Sequence, residues 1–521
     1  MTHSIRVAVR RAVAVAIASV SIAASLATAP LAANATTFGW DEVATHSASA
    51  GSQPQIAVNA DGLVVAAWTE QEMDVPVRPL WVSVSEDGVT WTRIENPLSP
   101  LASEPSIVTT PDGDFAMAWT TADLVTGEYK VWFGRSTDGL TWETQEVDND
   151  SENMLTGAAI AIAPNGQVEL MYSELAPNFP SALTLMQSSF SEGSWSTPQM
   201  RDVLTGVSFN WWDIQIQARP DNSFVAAWSL HFAPETFSLV NGSMKAADGD
   251  WGFRQSLSGN LPESAFYPRL AVNASGLTVL SYIVLDLETN VARTEARTQS
   301  GSNAYTDPIV LEGTGSGAPY NSITVTDDGT FAVLYAHGDD LFTRDIKVRK
   351  SIDGINWTAD FVVSDATDTH FAGDITWSDG QYMAIWWKKV GLDNVLTWQL
   401  VSSVSDDGET WSAPTVMSEE SLIVGSNMFW LWTAPRVMPF QDGFIAGWQF
   451  TNPSDEMDIR VQTSVWHEVP DPVEEPTPSP SATAATASLA TTGLEAAPAA
   501  LAATVLLVLG AVLALRRRRA V

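Results

Sequence analysis

The chain contains no cysteine among its 521 residues. Thiol nucleophiles, disulfide staples and cysteine-based metal sites are therefore excluded. A domain of this size can bury enough apolar surface to fold without cross-links. Histidine is scarce as well. The six present, His3, His46, His231, His337, His370 and His467, include no pair at H-x-x-x-H spacing. Basic residues are few: 26 Lys and Arg stand against 61 Asp and Glu, a net charge of −35. A surface so acidic repels nucleic acid and anionic membranes. No helical apolar period runs between Phe38 and Trp466. G-T-G-S-G-A at 313–318 has the outline of a dinucleotide loop but opens no helix, so no such role follows.

The two ends are legible. Residues 1–35 carry Arg6, Arg10 and Arg11, an apolar run from Ala12 to Ala27, and Ala33-Asn34-Ala35. This is the pattern of a secretory signal peptide cut after Ala35, with a retained membrane anchor as the alternative. At the other end, Leu489-Ala490-Thr491-Thr492-Gly493 precedes an apolar stretch at 499–515 and four arginines, Arg516 to Arg519. Seventeen such residues are long enough to cross a hydrocarbon core as a helix, and the arginines would stay cytoplasmic. Pentapeptide, apolar span and basic tail in this order, over 489–521, resemble the cell-wall sorting signal of Gram-positive surface proteins in its L-A-x-T-G variant. The resemblance implies cleavage by a sortase between Thr492 and Gly493 and transfer to peptidoglycan. A plain tail-anchored protein is the alternative. Residues 469–488, rich in Pro, Ser, Thr and Ala, read as an extended spacer. With the three signal arginines, the four tail arginines and Glu495 removed, 19 basic and 60 acidic residues remain.

Between the ends the chain repeats. An apolar strand, a turn that in most copies is Asp-Gly or Asn-Gly, and a second apolar strand recur eight times. The copies close on Trp68, Trp119, Tyr172, Trp228, Tyr282, Tyr335, Trp386 and Trp448. The spacing is 51 to 56 residues except for the last, which is 62. A second hairpin follows each, marked by S-E-D-G-V-T-W (85–91), S-T-D-G-L-T-W (136–142), S-I-D-G-I-N-W (351–357) and S-D-D-G-E-T-W (405–411). Degenerate copies end at Trp195 and Trp251, and Tyr305 takes the place in the fifth unit. Four short strands per unit of about 53 residues is the period of a β-propeller blade. The eighth unit lacks its fourth strand, which T-F-G-W-D-E-V at 37–43 can supply. The expectation is an all-β fold over 36–468, a single propeller of eight four-stranded blades closed by the strand of Trp40. Seven blades with an aberrant unit is the alternative.

S-x-D-G-x-T-W resembles the Asp-box, or BNR repeat, of sialidase-like propellers, one residue shorter between Asp and Trp than the family pattern. The resemblance implies a structural part, on the blade periphery, for Asp87, Trp91, Asp138, Trp142, Asp353, Trp357, Asp407 and Trp411. The residues agree. Glycine supplies the positive φ of a tight turn, aspartate accepts turn amides, and tryptophan returns to the sheet. A catalytic sialidase would need three arginines on the substrate carboxylate, one in F/Y-R-I-P, beside a tyrosine–glutamate pair and an aspartate. No F/Y-R-I-P occurs. Arg269 in Y-P-R-L and Arg436 in A-P-R-V hold equivalent places at the entry of a first strand.

The loops entering the first strands also carry aromatics: F-N-W-W-D (209–213), A-F-Y-P-R (265–269), G-A-P-Y-N (317–321), T-H-F-A-G (369–373) and N-M-F-W-L-W (427–432). In a propeller they gather on one face around the channel. There they either pack the hub or form a platform for sugars or peptides. Trp211, Trp212, Tyr267, Arg269, Tyr320, Phe371, Trp430, Trp432 and Arg436 are the candidate ligand-binding residues. No metal ligands or cofactor motif stand out, though D-N-D-S-E-N at 148–153 has oxygen donors suited to calcium. The expectation is a wall-anchored, non-catalytic surface propeller that binds glycan or protein. The alternative is a surface glycoside hydrolase or lyase on the same ring.

Overall fold

The computed structural model describes residues 37–469 apart from 48–50, 71–77, 124–125, 151, 177–181, 192, 206–212, 233–236, 259–261, 290, 302–303, 312–319, 339–343, 366–368, 391–396, 420, 423–433 and 453–454. The signal peptide, the spacer, Leu489 to Gly493, and Trp211, Trp212, Trp430 and Trp432 lie outside the described residues. The chain divides into two units after Val469, and every described residue belongs to the first.

The fold is an eight-bladed β-propeller. Blade 1 runs outward as Gly51–Val58, Val64–Glu70, Leu80–Ser85 and Thr92–Arg93, each strand antiparallel to the next. Blades 2 to 8 open with innermost strands Ser103–Thr109, Met154–Ile162, Ile214–Ala218, Glu263–Val272, Asn321–Val325, His370–Ser378 and Arg436–Phe440. Each sheet has four strands, with an extra strand in blades 3, 7 and 8, of seven residues in blade 3 (Gln199–Thr205) and two in the others. The innermost strands touch their neighbours in order around the ring, and the eighth touches the first.

The apolar alternation explains the packing. Second strands such as V-V-A-A-W-T are buried on both faces because each blade is covered on both sides. The eight closing aromatics, Trp68 through Trp448, are at most 2% exposed. One hydrophobic cluster fills each of the eight seams. Ile56, Val64 and Trp68 of blade 1 meet Phe440, Ile445 and Val461 of blade 8, so the closing seam is as fully packed as the others. The 62-residue spacing is therefore an insertion before a regular blade, which excludes the seven-bladed alternative.

Closure is made by the N-terminal strand. Thr37–Trp40 pairs antiparallel with Asp455–Val469, placing Trp40 opposite Trp466. Their rings meet edge-on at 5.5 Å, and Trp40 Nε1 donates to Ser402 Oγ of blade 7 at 2.8 Å. Ala44–Thr45 pairs with the same long strand. Beyond it His46 is buried, hydrogen-bonded through Nε2 to Thr463 Oγ1 at 2.8 Å and set edge-on against Trp91 at 4.4 Å. Burial, with the Arg93 charge behind it, lowers the imidazole to about 3.

The repeated S-x-D-G turn joins the third and fourth strands. Ser85 Oγ donates to Asp87 Oδ1 at 2.9 Å and accepts the Gly88 amide at 2.8 Å. Asp87 Oδ1 also accepts the amides of Val89 and Thr90, and Trp91 Nε1 donates to the Gly88 carbonyl. Burial opposes ionisation, but the Thr90 and Val89 amides and the Ser85 and Thr90 side chains together outweigh it and hold Asp87 down at about 2. Asp138, Asp353 and Asp407 repeat the arrangement. Trp91, Trp142, Trp357 and Trp411 are half-buried against the turn. Gly88 has φ +73°, and a Cβ there would stand 2.2 Å from Val465 of blade 8. A Cβ on Gly354 would stand 2.4 Å from Thr298 Oγ1 of blade 5. The turn therefore caps its own hairpin and also leans on the preceding blade.

Blade 4, where the phrase is degenerate, holds its seam differently. Lys245 Nζ reaches Glu169 Oε1 of blade 3 at 2.5 Å, and Trp251 Nε1 and Gln187 Nε2 donate to Glu169 Oε2. This buried ion pair stands where blades 1, 2, 6 and 7 use the serine–aspartate turn.

Candidate functional site at the hub

Because strands alternate in direction, the entries to the innermost strands all lie at one end of the ring. The S-x-D-G turns lie at the other end, with the first-to-second hairpins. The candidate site and the repeated phrase are thus on opposite faces.

At the entry end, four blades place polar side chains in one register tier. Arg269 faces Ser281, Ser322 faces Leu334, Asp374 faces Ile385 and Arg436 faces Gly447. Each partner is the residue just before the closing aromatic of its second strand. Arg269 and Arg436 do hold equivalent positions, and Asp374 and Ser322 complete the arc across blades 5 to 8. Ser322 Oγ donates to Asp374 Oδ1 at 2.5 Å, and the Val437 amide donates to Asp374 Oδ2 at 3.0 Å. Asp374 is thereby engaged from both neighbouring blades.

Arg269 is buried. Its Nη1 donates to Asp213 Oδ2 of blade 4 at 2.9 Å and to its own chain at the Pro268 carbonyl at 2.8 Å. Burial works against its charge, but Asp213, Tyr320 and Asp374 hold the guanidinium above its ordinary range. Its Nε is buried without a hydrogen-bond partner among the described residues.

Tyr267 sits at a β-bulge between Phe266 and Arg269, with φ +57°. Bulges re-aim side chains, and a bulky residue at positive φ is strained. The other described non-glycine residues with positive φ, Asn222, Asp379 and Gln441, lie in first-to-second hairpin turns. The carbonyl of Tyr267 is fixed by Asn321 Nδ2 at 2.9 Å, and Asn321 Oδ1 in turn accepts from Ser281 Oγ at 2.6 Å. Burial, reinforced by the Asp213 charge, pushes the Tyr267 phenol up to about 12.

Tyr320 is 2% exposed, its ring 5.9 Å from the Arg269 guanidinium. Its buried hydroxyl completes no well-formed hydrogen bond among the described residues, although the Arg269 guanidinium lies close enough to donate toward it. Burial raises its pKa, with Arg436 and Arg269 pulling the other way. Arg436 is half-buried and forms no ion pair among the described residues. Phe371 is buried in the seam of blades 7 and 8, its ring 5.9 Å from Trp398.

The sequence-derived candidates thus divide. Tyr267, Arg269, Tyr320 and Arg436 come together at the hub, whereas Phe371 packs a seam. Tyr267, Tyr320 and Phe371 are all buried, so these three do not form an open aromatic platform. Bulges and seam packing turn their rings inward. Two arginines, not three, meet at the described part of the hub. Asp213 and Asp374 were not singled out from sequence. Their signal is register: Asp213 lies 56 residues, one blade, before Arg269. At 148–153, Asp150 accepts the amides of Glu152 and Asn153, and Tyr172 donates to Asp148. Among the described residues no group of three or more His, Asp or Glu is arranged to hold a metal ion.

No protein-family model and no curated protein matches the chain. Several solved structures resemble it in architecture. One is an ulvan lyase, from a new family of polysaccharide lyases, bound to -[GlcA(1-4)Rha3S]-. It is 12% identical over 72% of this chain and 98% of its own, with a TM-score of 0.46. An α-L-arabinanase of Penicillium chrysogenum with arabinobiose is 12% identical over 70% and 94%, TM-score 0.37. The β-propeller domain of the Trilobed protease of Pyrococcus furiosus is 12% identical over 73% and 98%, TM-score 0.36. Likeness at this level carries no argument about chemistry.

Proposed function

We propose that this protein is a surface-displayed propeller whose hub binds a carboxylate-bearing glycan without transforming it. The observation that carries the reading is Arg436, a half-buried guanidinium with no ion pair among the described residues, whose charge acts on the buried hydroxyl of Tyr320. A guanidinium and a phenol together present donors suited to a carboxylate. The remaining charges are already committed: Asp213 to Arg269, and Asp374 to Ser322 and the Val437 amide. No described carboxylate at the hub is left to serve as nucleophile or acid. The signal-peptide and sorting-signal patterns support export and covalent attachment to the wall, with sortase and peptidoglycan as partners. The resemblance of S-x-D-G-x-T-W to the Asp-box supports a sialidase-like architecture for the scaffold.

The test is a screen of the full chain against acidic and neutral glycans, repeated with Arg436→Gln. Expected is binding confined to acidic glycans and weakened at least about tenfold by the substitution, a loss of about 1.4 kcal/mol. Equal binding of neutral glycans, or an indifferent variant, refutes the hub reading.

A surface glycoside hydrolase is the second reading, favoured by the strained backbone of Tyr267, since such strain collects at reactive sites. Release of reducing ends from an acidic polysaccharide, abolished in Tyr267→Phe, would establish it.

A further inference from the structure

The outer wall holds a second concave site, between blades 3 and 4 and away from the hub. A cavity of about 230 Å³ is lined by Met200, Arg201, Trp228, Trp251, Phe253 and Arg254, among others. Three features mark it. First, Phe253 is 93% exposed and Met200 59%, the former the most exposed of the large hydrophobic residues described. Second, two arginines meet there in a chain of net charge −35. Arg201 donates to Gln199, and its Nε is buried without a hydrogen-bond partner among the described residues. Arg254 is held by Asp202 Oδ1 at 2.5 Å. Third, the walls are fixed. Trp228 Nε1 is anchored on Asp202 and Trp251 Nε1 on Glu169, which also holds Lys245.

We infer that this cavity is a binding subsite for one carboxylate-bearing sugar ring of a longer acidic glycan. The apolar face of the ring stacks on Phe253 beside Trp251 and Trp228. Its carboxylate meets Arg201 and Arg254, whose planar guanidinium groups suit paired hydrogen bonds. The volume is below the roughly 300 Å³ at which sites for drug-sized molecules begin, which suits a single ring rather than a whole oligosaccharide. Charge selects the occupant: a neutral ring gains only the stacking, and a basic peptide is repelled by both arginines. The inference stands on different residues from the hub reading.

The probe is tetragalacturonate, with maltotetraose as the neutral counterpart, titrated into the full chain. Binding is followed by tryptophan fluorescence, because Trp228 and Trp251 line the cavity. Phe253→Ala is the principal variant, since a side chain so exposed contributes little to folding. Arg201→Gln is the second, and Arg436→Gln marks the hub. Expected is saturable quenching by tetragalacturonate and not by maltotetraose, with Kd raised about tenfold in Phe253→Ala and in Arg201→Gln but unchanged in Arg436→Gln. The inference is overturned by absence of quenching, or by a titration that Phe253→Ala leaves unmoved while Arg436→Gln abolishes it. It is equally overturned if Phe253→Ala turns a dimer into a monomer in solution, which would make the patch an interface between copies of the chain.

Discussion

Arg269 of blade 5 and Asp213 of blade 4 form a 2.9 Å ion pair across a seam, with the arginine side chain 7% and the aspartate 12% exposed. Removing one partner from such a pair leaves a buried charge uncompensated. Asp213→Asn is expected to lower unfolding free energy by about 3 kcal/mol in urea titration. Asp213→Asn combined with Arg269→Met is expected to recover much of that loss. A double variant no better than the single one would show that the guanidinium is satisfied without Asp213.

Gly88 tests whether the repeated turn serves the hairpin or the seam. Gly113 has φ +88° with nothing within 4 Å of a Cβ, whereas a Cβ on Gly88 collides with Val465. Gly113→Ala is expected to cost about 1 kcal/mol, the left-handed penalty alone. Gly88→Ala is expected to cost at least about 2 kcal/mol more, as overpacking adds to it. Introducing Val465→Ala should return part of that difference. Equal losses at the two glycines would confine the turn to its own hairpin.

His46 gives a pH signature. Its folded pKa of about 3 lies below the ordinary 6.5, so the unfolded chain takes up a proton that the folded chain refuses. Its contribution is complete above pH 6.5 and is lost as pH falls from 6.5 toward 3. Between pH 6.5 and 5 the loss is expected to approach about 2 kcal/mol. Measured against pH, His46→Gln should flatten that part of the stability curve. An unchanged slope in the variant would place the acid sensitivity elsewhere.

Trp40 tests closure. Trp40→Ala removes the edge contact with Trp466 and the bond to Ser402 Oγ. The expected loss is about 2 kcal/mol, smaller than for a fully buried tryptophan. Hydrogen exchange should rise first in Asp455–Val469, the strand it covers. Uniform acceleration in all blades would mean that the ring opens as one unit.

The ring itself was readable because its period is carried by large residues that cannot be moved. The eight closing aromatics are core, and Trp40 was recognisable as the missing strand because its neighbours copy the post-turn strands of blades 1 and 2. The hub was readable only in part. Arg269 and Arg436 stand out as rare basic residues in an acidic chain. Asp374 does not, being one acid among 61. Spacing does not hide it, since it lies 12 residues before Trp386 as Arg436 lies 12 before Trp448; what hides it is that nothing in its residue type separates it from the other acids. The inward turn of Tyr267 depends on a bulge, which no alternation of apolar residues announces.

The pairing of Thr37–Trp40 with Asp455–Val469 also sets a clock. His46 and Thr463 are 417 positions apart, yet they share a hydrogen bond. Until the last long strand has been made and delivered, the opening strand has nothing to pair with and the eighth seam stays open. Contacts so remote in sequence form late and slowly. Completion of the ring is therefore postponed until Asp455–Val469 has been made, and the edges of its first and eighth blades stay unpaired until then.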